Sequence, residues 1–329
     1  MGEELKRYPM ADLSGQPFFR PSDFAVLMRR IRARVSGGGL DIADNLKDKG
    51  LPFTDCPVCE SCGSSLAKEV LTALDGNRVV ECSNCGLWYS SPRPAEEEWQ
   101  SWLMAEATDR NIEFTENRLR HGVALARSLP LSFSFWWRYV RRRNQREIRK
   151  LIRMHGPGKL RLHDVGCGVG FLLKAAQDLG IQCSGNDLNG YAVSRMRELF
   201  GMDVHLGTLP GLFREGVLRA NSYDLVTMDD FIEHSYHPLR DLTAAFSILR
   251  EGGILSVQTF CVDSARFRRL KTRWDMLMWN HTFHFSSTSL RELIGQAGFN
   301  IVEVNVNSLR GTVWIMARKG TPCLPQGNA

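Results

Sequence analysis

The spacing of apolar residues changes after residue 155. Short apolar runs such as "RLHDV", "IQCSGND", "YDLVTMDD" and "GILSVQTF" alternate there with segments such as "FLLKAAQDLG" and "YAVSRMRELFG", whose apolar residues recur at helical spacing. Strands that alternate with helices of this length predict βαβ units on a parallel sheet. We therefore expect an α/β domain over residues 155–320, with helices on both faces of the sheet and a tail at 321–329.

The N-terminal half has a different pattern. Residues 1–50 form a predicted tail with one short basic helix, "SDFAVLMRRIRARV" at 22–35, for which Ser22 is a candidate cap. Residues 51–95 have little helical periodicity and contain a group of cysteines. Residues 96–154 have a helical pattern ending in the basic stretch "FWWRYVRRRNQREIRKLIRM", and we expect a helical linker or lid there.

Composition narrows the class of protein. The chain has 329 residues, of which 43% are hydrophobic, so it can bury a large core beside a smaller module. It has no apolar run of about 18 residues, and its first residues lack the apolar core of a signal peptide. We therefore expect a cytoplasmic protein without a transmembrane segment. The formal net charge of +6 mildly favours anionic partners.

A glycine-rich loop follows the first predicted strand of the α/β domain. In "HDVGCGVGF", glycines stand at Gly166, Gly168 and Gly170, and Phe171 stands where a dinucleotide-binding loop has its third glycine. Such a loop lies at the carboxyl edge of the sheet, where open α/β sheets bind ligands. The preceding Asp164 suits a cofactor that carries a cationic amino acid better than it suits a diphosphate.

A second acidic residue extends this pattern. Asp187 ends the next predicted strand, where a carboxylate can accept hydrogen bonds from both ribose hydroxyls. Together with the glycines and Asp164, it indicates a site for S-adenosylmethionine. The alternative is that the glycines serve only to form a sharp turn.

Four segments in this half of the chain match the motifs of a known family in order: "HDVGCGVG", "GNDLN", "YDLVTMDDFIEHSYHP" and "LREGGILSVQTF". Through them, residues 160–320 resemble the class I S-adenosylmethionine-dependent methyltransferases, within the small-molecule group that includes the ubiquinone-biosynthesis O-methyltransferases. The resemblance implies a Rossmann-like methyltransferase sheet with helices on both faces. It also implies a cofactor-binding set in which Asp164, Gly166 and Gly168 line the methionine end beside Gly170, Asp187 holds the ribose, Leu188 packs on the adenine, and Leu209 and Met228 make contacts nearby.

A narrower resemblance covers both modules. The segment "RWDMLMWNHTFHFSSTSLRELIGQAGF" at 273–299 resembles one found in a subset of these enzymes. Many members of that subset also carry an upstream cysteine ribbon that ends in a tetrapeptide similar to "SPRP", which follows "CSNCGLWYS" here.

The cysteine pattern at 51–95 predicts a zinc ribbon. Tetrahedral zinc takes four thiolates from two C-x-x-C turns, and a following glycine lets backbone N–H groups point at sulfur. "CSNCG" supplies one turn, whereas "CPVCESCG" offers either Cys56 with Cys59 or Cys59 with Cys62, and glycine follows only the second pair. The favoured ligands of this structural zinc are Cys59, Cys62, Cys82 and Cys85, with Cys56 as the alternate. Four sulfurs leave no open position for catalysis.

Three histidines are candidate bases for methyl transfer. The sulfonium is already a good methyl donor, so the enzyme has to align the acceptor and, where needed, remove its proton. His234 follows Glu233 just after the predicted strand "YDLVTMDD", at the edge of the sheet that binds ligands, and is the first choice; His281 and His284 lie before the C-terminal helix. Each could instead be a hydrogen-bonded structural histidine. Three neighbouring aromatic residues could pack as a lid or core, or stack on the acceptor: Trp274, Trp279 and Phe283.

These observations favour a methyltransferase for a small-molecule acceptor, and the main expectation is O-methylation of a sugar, lipid-linked or secondary-metabolite substrate. The sequence does not exclude carbon or nitrogen as the nucleophile.

One alternative is an RNA base methyltransferase, whose basic stretch from Arg138 to Arg153 would contact phosphates. Against it, "MDDFIEH" differs from the loop of many base-amine methylases. Another alternative is a non-enzymatic zinc-ribbon adaptor. Retention of the protein on RNA would favour the RNA methyltransferase. Failure of the protein to bind the cofactor would favour the adaptor.

Overall fold

The computed structural model describes residues 53–54, 59, 61–73, 76–105, 131–278 and 280–320. Its N-terminal part is a small antiparallel β-module, which we call the ribbon. β2, β3 and β4 of the ribbon form a meander, while β1 pairs with β5. The ribbon strands are β1 (Phe53–Thr54), β2 (Ala67–Thr72), β3 (Arg78–Cys82), β4 (Trp88–Ser90) and β5 (Arg93–Pro94).

Two helices connect the ribbon to the α/β domain: α1 (Glu96–Ala105) and α2 (Leu131–His155). The first turn of α1 carries Glu96, Glu97 and Glu98, which suit the positive end of a helix dipole. Residues 106–130 and the predicted basic tail helix at 22–35 lie outside the described residues. Among the helices that the structure describes, none is long and apolar enough to cross a membrane.

The rest of the described chain alternates strands and helices as its apolar pattern predicts. The strands are β6 (Arg161–Val165), β7 (Gln182–Asp187), β8 (Asp203–Leu206), β9 (Tyr223–Asp229), β10 (Leu249–Phe260), β11 (Phe283–His284), β12 (Phe299–Asn307) and β13 (Thr312–Lys319). The helices are α3 (Phe171–Gln177), α4 (Gly190–Phe200), α5 (Leu209–Arg214), α6 (Pro238–Ile248), α7 (Ala265–Leu270) and α8 (Ser287–Gln296). Short 3₁₀ helices form at Ile232–His234 and Lys271–Arg273.

Seven of these strands form one sheet in the order β12-β13-β10-β9-β6-β7-β8. The pairs from β8 to β10 are parallel, and β13 runs antiparallel to both β10 and β12. The chain order reverses between β6 and β9, and ligands bind at such a switch point outside the carboxyl ends of the strands. The predicted fold class, a Rossmann-like methyltransferase sheet, is confirmed.

Helices cover both faces of this sheet. One face packs on α2, α3 and α4 through a core that includes Ile148, Leu173 and Met196. The other face packs on α5, α6 and α8 through a second core. Both layers are anchored by fully buried aliphatic side chains of the central strands, such as Leu162 and Val226. This packing fixes the strand ends that carry the site.

The start of β10 differs from the expected pattern. The helical spacing of "LRDLTAAFSILREG" predicts a helix through Gly252, but α6 ends at Ile248 and the chain is already extended from Leu249. Tertiary contacts explain the early strand: Lys319 Nζ donates to the Leu249 carbonyl at 2.8 Å, and Arg250 pairs with Asp224 at 2.7 Å. These bonds hold residues in a strand that their local pattern assigns to a helix.

The ribbon is continuous with the α/β domain. β11 belongs to the later half of the chain, yet it pairs with β4 and forms the edge of the four-stranded ribbon sheet. Cys59, Leu87 and Tyr89 of the ribbon share a hydrophobic core with Phe283 and Phe285. The two predicted modules therefore fold against one another over a common core.

Candidate functional site

The glycine loop after β6 is built from left-handed backbone. Gly166, Gly168 and Gly170 have φ angles of 70°, 50° and 69°, a region that other residues enter only with strain. The N–H groups of Gly166 and Cys167 both donate to the Asn186 carbonyl, at 2.9 and 3.0 Å. The loop is therefore held against the end of β7 by its own backbone.

The three glycines face different surroundings. A Cβ at Gly166 would lie 2.6 Å from the Phe231 ring, and one at Gly170 would lie 2.8 Å from the Met196 sulfur. A Cβ at Gly168 would meet nothing within 4 Å. Gly168 therefore borders space in which a ligand can approach the backbone. At Gly170, by contrast, a side chain would clash with Met196 of α4, so packing requires glycine there.

Asp187, at the end of β7, connects the glycine loop to the next helix. Its carboxylate accepts hydrogen bonds from the backbone N–H groups of Gly168 and Asn189, each at 2.8 Å. Burial raises the pKa of Asp187, and the N–H groups of Asn189, Gly168 and Leu188 oppose that shift. Each carboxylate oxygen keeps a second lone pair, which suits a diol such as ribose.

Asp164 is buried one strand away and bonds to β9. Thr227 Oγ1 donates to Asp164 Oδ1 at 2.7 Å, and the carboxylate is 4% exposed. Burial raises the pKa of Asp164 to about 8, with a further contribution from the charge of Asp229. In this environment the ionised form of Asp164 needs a cationic partner.

Two acids that the sequence analysis did not identify adjoin Asp164. Burial and the charge of Glu147 raise the pKa of Asp229, whose Oδ1 is buried without a hydrogen-bond partner among the described residues. Burial likewise raises the pKa of Glu147 to about 7. Arg143, at 4.0 Å from Asp229, is the cation paired with this cluster. A ligand carrying positive charge, as S-adenosylmethionine does, fits such an acid-rich interior.

A cleft of about 560 Å³ lies at the carboxyl edge of the sheet. Tyr236 hydroxyl donates to the Pro94 carbonyl at 2.8 Å, and His237 lies 2.9 Å from Glu96, so the start of the linker closes one side. The cleft is lined by two sets of residues. One set follows β6, β7 and β8 and includes Gly166, Asn186, Asp187, Leu188, Gly207 and Thr208; the other follows β9 and β10 and includes Asp230, Phe231, His234, Tyr236, His237 and Asn280.

Five of the eight predicted cofactor residues fall into two groups, and Asp164, Gly168 and Gly170 belong to neither group. Gly166, Asp187 and Leu188 line the cleft. The side chains of Leu209 and Met228 are fully buried in the core that includes α5 and β9, so only their backbone groups could reach a ligand. Hydrophobic periodicity gives no means of separating these two groups, because it identifies buried faces and not ligand contacts.

His234 and His281 lie together beside the cleft. Their ring centroids are 4.6 Å apart in an edge-to-face arrangement. His234 Nδ1 lies 2.8 Å from the Asn280 carbonyl, and His281 Nδ1 lies 2.8 Å from the Met276 carbonyl. A carbonyl only accepts, so both rings must carry their proton on Nδ1, which leaves a lone pair on each Nε2.

The environment of both rings favours the neutral form. Burial lowers the pKa of His234, and burial together with the charge of His234 lowers that of His281. Glu233 is 1% exposed, and burial raises its pKa to about 8. One ligand atom from each of Glu233, His234 and His281 lies within 4.8 Å of the others, so this trio could bind a metal ion as well as transfer a proton.

His284 does not line the cleft. Its Nε2 lies 3.3 Å from Ser90 Oγ in the ribbon, and burial lowers its pKa to about 3. Trp274 and Phe283 are 3% and 1% exposed and pack in hydrophobic cores. Trp279 lies outside the described residues. The structure thus brings two of the three predicted histidines together and puts the third at the ribbon interface.

Four ribbon cysteines converge on one point. Cys59 Sγ lies 3.5 Å from Cys85 Sγ, Cys62 Sγ lies 3.6 Å from Cys82 Sγ, and all four sulfurs lie within 4.8 Å of one another. Tetrahedral zinc–thiolate bonds of about 2.3 Å require sulfur separations of about 3.8 Å. The four sulfurs therefore fit one tetrahedral ion. Cys56, the alternate ligand, lies outside the described residues.

Glycines follow both cysteine pairs as the zinc-ribbon pattern requires. Gly63 and Gly86 have φ angles of 71° and 70°. Their N–H groups donate to the carbonyls of Cys59 and Cys82 at 2.7 and 2.9 Å. Each turn is thus closed by backbone, with its two sulfurs on the same side.

Comparisons with known proteins agree with this geometry. Residues 136–304 match a protein family described as a methyltransferase domain. A ubiquinone biosynthesis O-methyltransferase from Xanthomonas campestris is 33% identical over 112 residues, 32% of this chain and 46% of that protein; one from Xanthomonas axonopodis is 32% identical over 116 residues. The chain thus spans about half the length of the curated relatives it matches.

Two solved structures are similar to part of the chain. A Thermotoga maritima protein described as a possible histamine N-methyltransferase is 22% identical, with a TM-score of 0.42 over 56% of this chain and 94% of its own. A chain from the complex of the Haloferax volcanii Trm112 methyltransferase activator with a methyltransferase is 16% identical, with a TM-score of 0.46 over 67% and 98%. By its family match, strand order and glycine loop, the chain belongs to the class I S-adenosylmethionine-dependent methyltransferases.

Proposed function

We propose that the protein transfers a methyl group from S-adenosylmethionine to an oxygen atom of a small molecule such as a sugar, a lipid-linked compound or a secondary metabolite. The observation that carries this proposal is that Asp187 and Gly166 line the same cleft as His234 and Tyr236. Cofactor and acceptor would then meet within this cleft. The Xanthomonas relatives, which are named as O-methyltransferases, support oxygen as the nucleophile.

The size of the cleft supports a small acceptor. Its volume of about 560 Å³ falls within the range of about 300–1,000 Å³ that is typical of small-molecule sites. Its acceptor wall is polar, with an imidazole, a phenol and an amide from His234, Tyr236 and Asn280. Such groups can orient a hydroxylated molecule through hydrogen bonds.

S-adenosylmethionine, when bound, supplies an electrophilic methyl group. Asp187 would hold the ribose, and the buried acids Asp164 and Asp229 would balance the positive charge of the cofactor. We assign His234 as the base, since it lines the cleft and its neutral ring has a lone pair on Nε2. Asp230 would favour the imidazolium formed on proton transfer, since its charge raises the pKa of His234.

His281 and His284 would have supporting roles. His281 packs edge-on against His234 and stacks on Phe260 with ring centroids 5.6 Å apart, which fixes the orientation of the candidate base. His284 bonds to the ribbon, and we assign it a structural role in place of the catalytic role that the sequence suggested.

A zinc ion in the ribbon is the second part of the proposal. The separations of 3.5 and 3.6 Å between paired sulfurs of Cys59, Cys62, Cys82 and Cys85 support it. Four thiolates complete the coordination of zinc, so its role would be to stabilise the ribbon. We favour the Cys59–Cys62 pair over one that includes Cys56.

RNA is the alternative acceptor, and one feature favours it. Arg142, Arg146, Arg149 and Arg153 are exposed on α2 at intervals of four, three and four residues, so they share one helix face. Other basic residues of α2 pair with acids, including Arg141 with Asp178 and Lys150 with Glu303. The exposed arginines could contact phosphates, although solvated arginines are common on helix surfaces.

The experiment that tests the proposal follows a labelled methyl group. Full-length protein would be incubated with S-adenosylmethionine carrying a labelled methyl group and, separately, with pools of hydroxylated phenols, free and nucleotide-linked sugars, and total RNA. Label transferred to a hydroxyl-containing pool supports the proposal. Label found only in RNA, with salt-dependent retention of RNA that Arg146→Ala weakens, would replace it. Failure of the protein to bind S-adenosylmethionine would support the non-enzymatic adaptor.

A further inference from the structure

The segment that carries His281 is bound between two parts of the protein. This segment, which we call the histidine loop, comprises residues 276–284, of which Trp279 lies outside the described residues. On one side, Thr282 Oγ1 donates to the carbonyls of Ser235 and Glu233, at 2.6 and 3.1 Å. These bonds attach the loop to the chain around His234.

On its other side the histidine loop is bound by the ribbon. Ser90 N–H donates to the Thr282 carbonyl at 3.0 Å, and Ser90 Oγ donates to the His281 carbonyl at 3.0 Å. Asn77 Nδ2 donates to Ser90 Oγ at 2.9 Å and to the Leu277 carbonyl at 3.0 Å. The Asn77 and Ser90 side chains and the Ser90 backbone N–H therefore hold the loop at three backbone carbonyls, those of Leu277, His281 and Thr282.

The hydroxyl of Ser90 is fully used by these bonds. A serine hydroxyl has one proton to donate and two lone pairs that accept. Its proton goes to the His281 carbonyl, and its lone pairs accept from Asn77 Nδ2 and from His284 Nε2, the latter at 3.3 Å. Asn77 and Ser90 are 4% and 0% exposed, so water cannot replace a bond that is lost.

We infer that Asn77 and Ser90 are positioning residues for methyl transfer, through which the ribbon sets the place and orientation of His281 and hence of His234. This inference rests on the proposed role of His234 as the base. The ring of His281 is fixed by the Met276 carbonyl on its Nδ1, by Phe260 on one face and by His234 at its edge. The ribbon thus holds the backbone on either side of this ring, next to the part of the cleft that His234 and Asn280 line.

The test uses the imidazole nitrogens as reporters. Full-length protein labelled with ¹⁵N-histidine would be examined by NMR, in which the ring nitrogen shifts distinguish the two tautomers and need no acceptor. In the wild type we expect His234 and His281 each as a single Nδ1–H tautomer. Ser90→Ala should give His281 averaged or mixed tautomer signals, whereas Ser90→Thr should restore the single tautomer. Lys68→Ala, which removes an exposed ion pair with Glu81 on the ribbon, is the matched control and should match the wild type.

A cofactor measurement separates positioning from unfolding. Affinity for S-adenosylhomocysteine should stay within about twofold in Ser90→Ala, because the glycine loop and Asp187 do not contact the ribbon serine. Once the acceptor is identified, this variant should lower kcat about tenfold or more with little change in KM for the cofactor. If Ser90→Ala fails to fold, Asn77→Ala is judged by the same signals.

Two results would overturn the inference. One is a folded Ser90→Ala or Asn77→Ala variant in which His281 keeps its single Nδ1–H tautomer. The other is the same loss of tautomer in the Lys68→Ala control. A wild type that does not bind S-adenosylhomocysteine but shows the expected tautomers would instead refute the proposed methyl transfer and leave the positioning by the ribbon in place.

Discussion

Replacing Asp187 by alanine should weaken the binding of S-adenosylhomocysteine about 10- to 100-fold. One lone pair on each carboxylate oxygen is used by the N–H groups of Gly168 and Asn189, both at 2.8 Å, and the others remain for the two ribose hydroxyls. A hydrogen bond to a charged group contributes about 1.5–3 kcal/mol. Because about 1.4 kcal/mol corresponds to a tenfold change in affinity, a net loss equal to one such bond gives the stated range.

The same substitution has a second effect that the assay must separate. Alanine leaves the N–H groups of Gly168 and Asn189 without their acceptor, so the glycine loop itself is loosened and the melting temperature should fall. Asp187→Asn retains one acceptor oxygen and should therefore weaken binding less than alanine does. Asp203→Ala, which changes a 65% exposed carboxylate at the start of β8, is the control and should leave affinity unchanged.

The measurement is titration calorimetry on each variant, at a temperature at which circular dichroism shows it to be folded. An Asp187→Ala protein that is folded and binds S-adenosylhomocysteine as tightly as the wild type would refute the ribose assignment. NAD provides an independent check, because the loop lacks the glycine spacing of dinucleotide sites. Tight NAD binding by the wild type would contradict the choice of cofactor altogether.

Three further predictions concern the base, the ribbon and the buried acids. His234→Asn should lower turnover roughly 100-fold with cofactor affinity nearly intact; single-turnover methyl transfer measures this, and an unchanged rate would exclude His234 as the base. The purified chain should contain one zinc, and chelation should lower its melting temperature; elemental analysis that detects no zinc would contradict the proposed ribbon. In the unliganded protein, Asp164 should contribute a loss of stability from about pH 4 to about pH 8, because burial raises the pKa of Asp164 from 3.8 to about 8 and the folded state therefore favours the protonated acid. Asp164→Asn should flatten the pH dependence of the urea midpoint, and an identical slope in this variant would contradict that assignment.

The parts of the fold that follow from local pattern could be predicted from the sequence. The βαβ alternation, the glycine loop after β6 and the acidic residue at the end of β7 all depend on residues close in the chain. The pairing of β4 with β11 could not be predicted. Phe283 lies opposite Tyr89 across almost two hundred intervening residues, and a two-residue strand has no periodicity of its own. Its register is determined by the tertiary core that it shares with the ribbon.

The site illustrates the same division between local and tertiary information. The spacing G-x-G-x-G identifies three backbone positions, but only the fold distinguishes Gly168, which borders open space, from Gly170, which packs on Met196 and Met202. Asp229 and Glu147 were missed because each reads as an ordinary polar residue in its own segment. They become a cluster only when α2 packs across the sheet, and the sole sequence signal for Asp229 was its position at the end of β9.

The three histidines show why residue type and proximity do not by themselves define a catalytic role. His281 and His284 are neighbours in the chain, yet one ring donates through Nδ1 to the Met276 carbonyl and the other bonds through Nε2 to Ser90. Because a neutral imidazole has a single N–H, the partner of one nitrogen determines what the other can do. His234 combines an Nδ1–H held by a carbonyl with a position on the cleft wall. The hydrogen-bond partners thus set His284 apart, and the place on the cleft wall distinguishes His234, which its position after β9 already favoured, from His281.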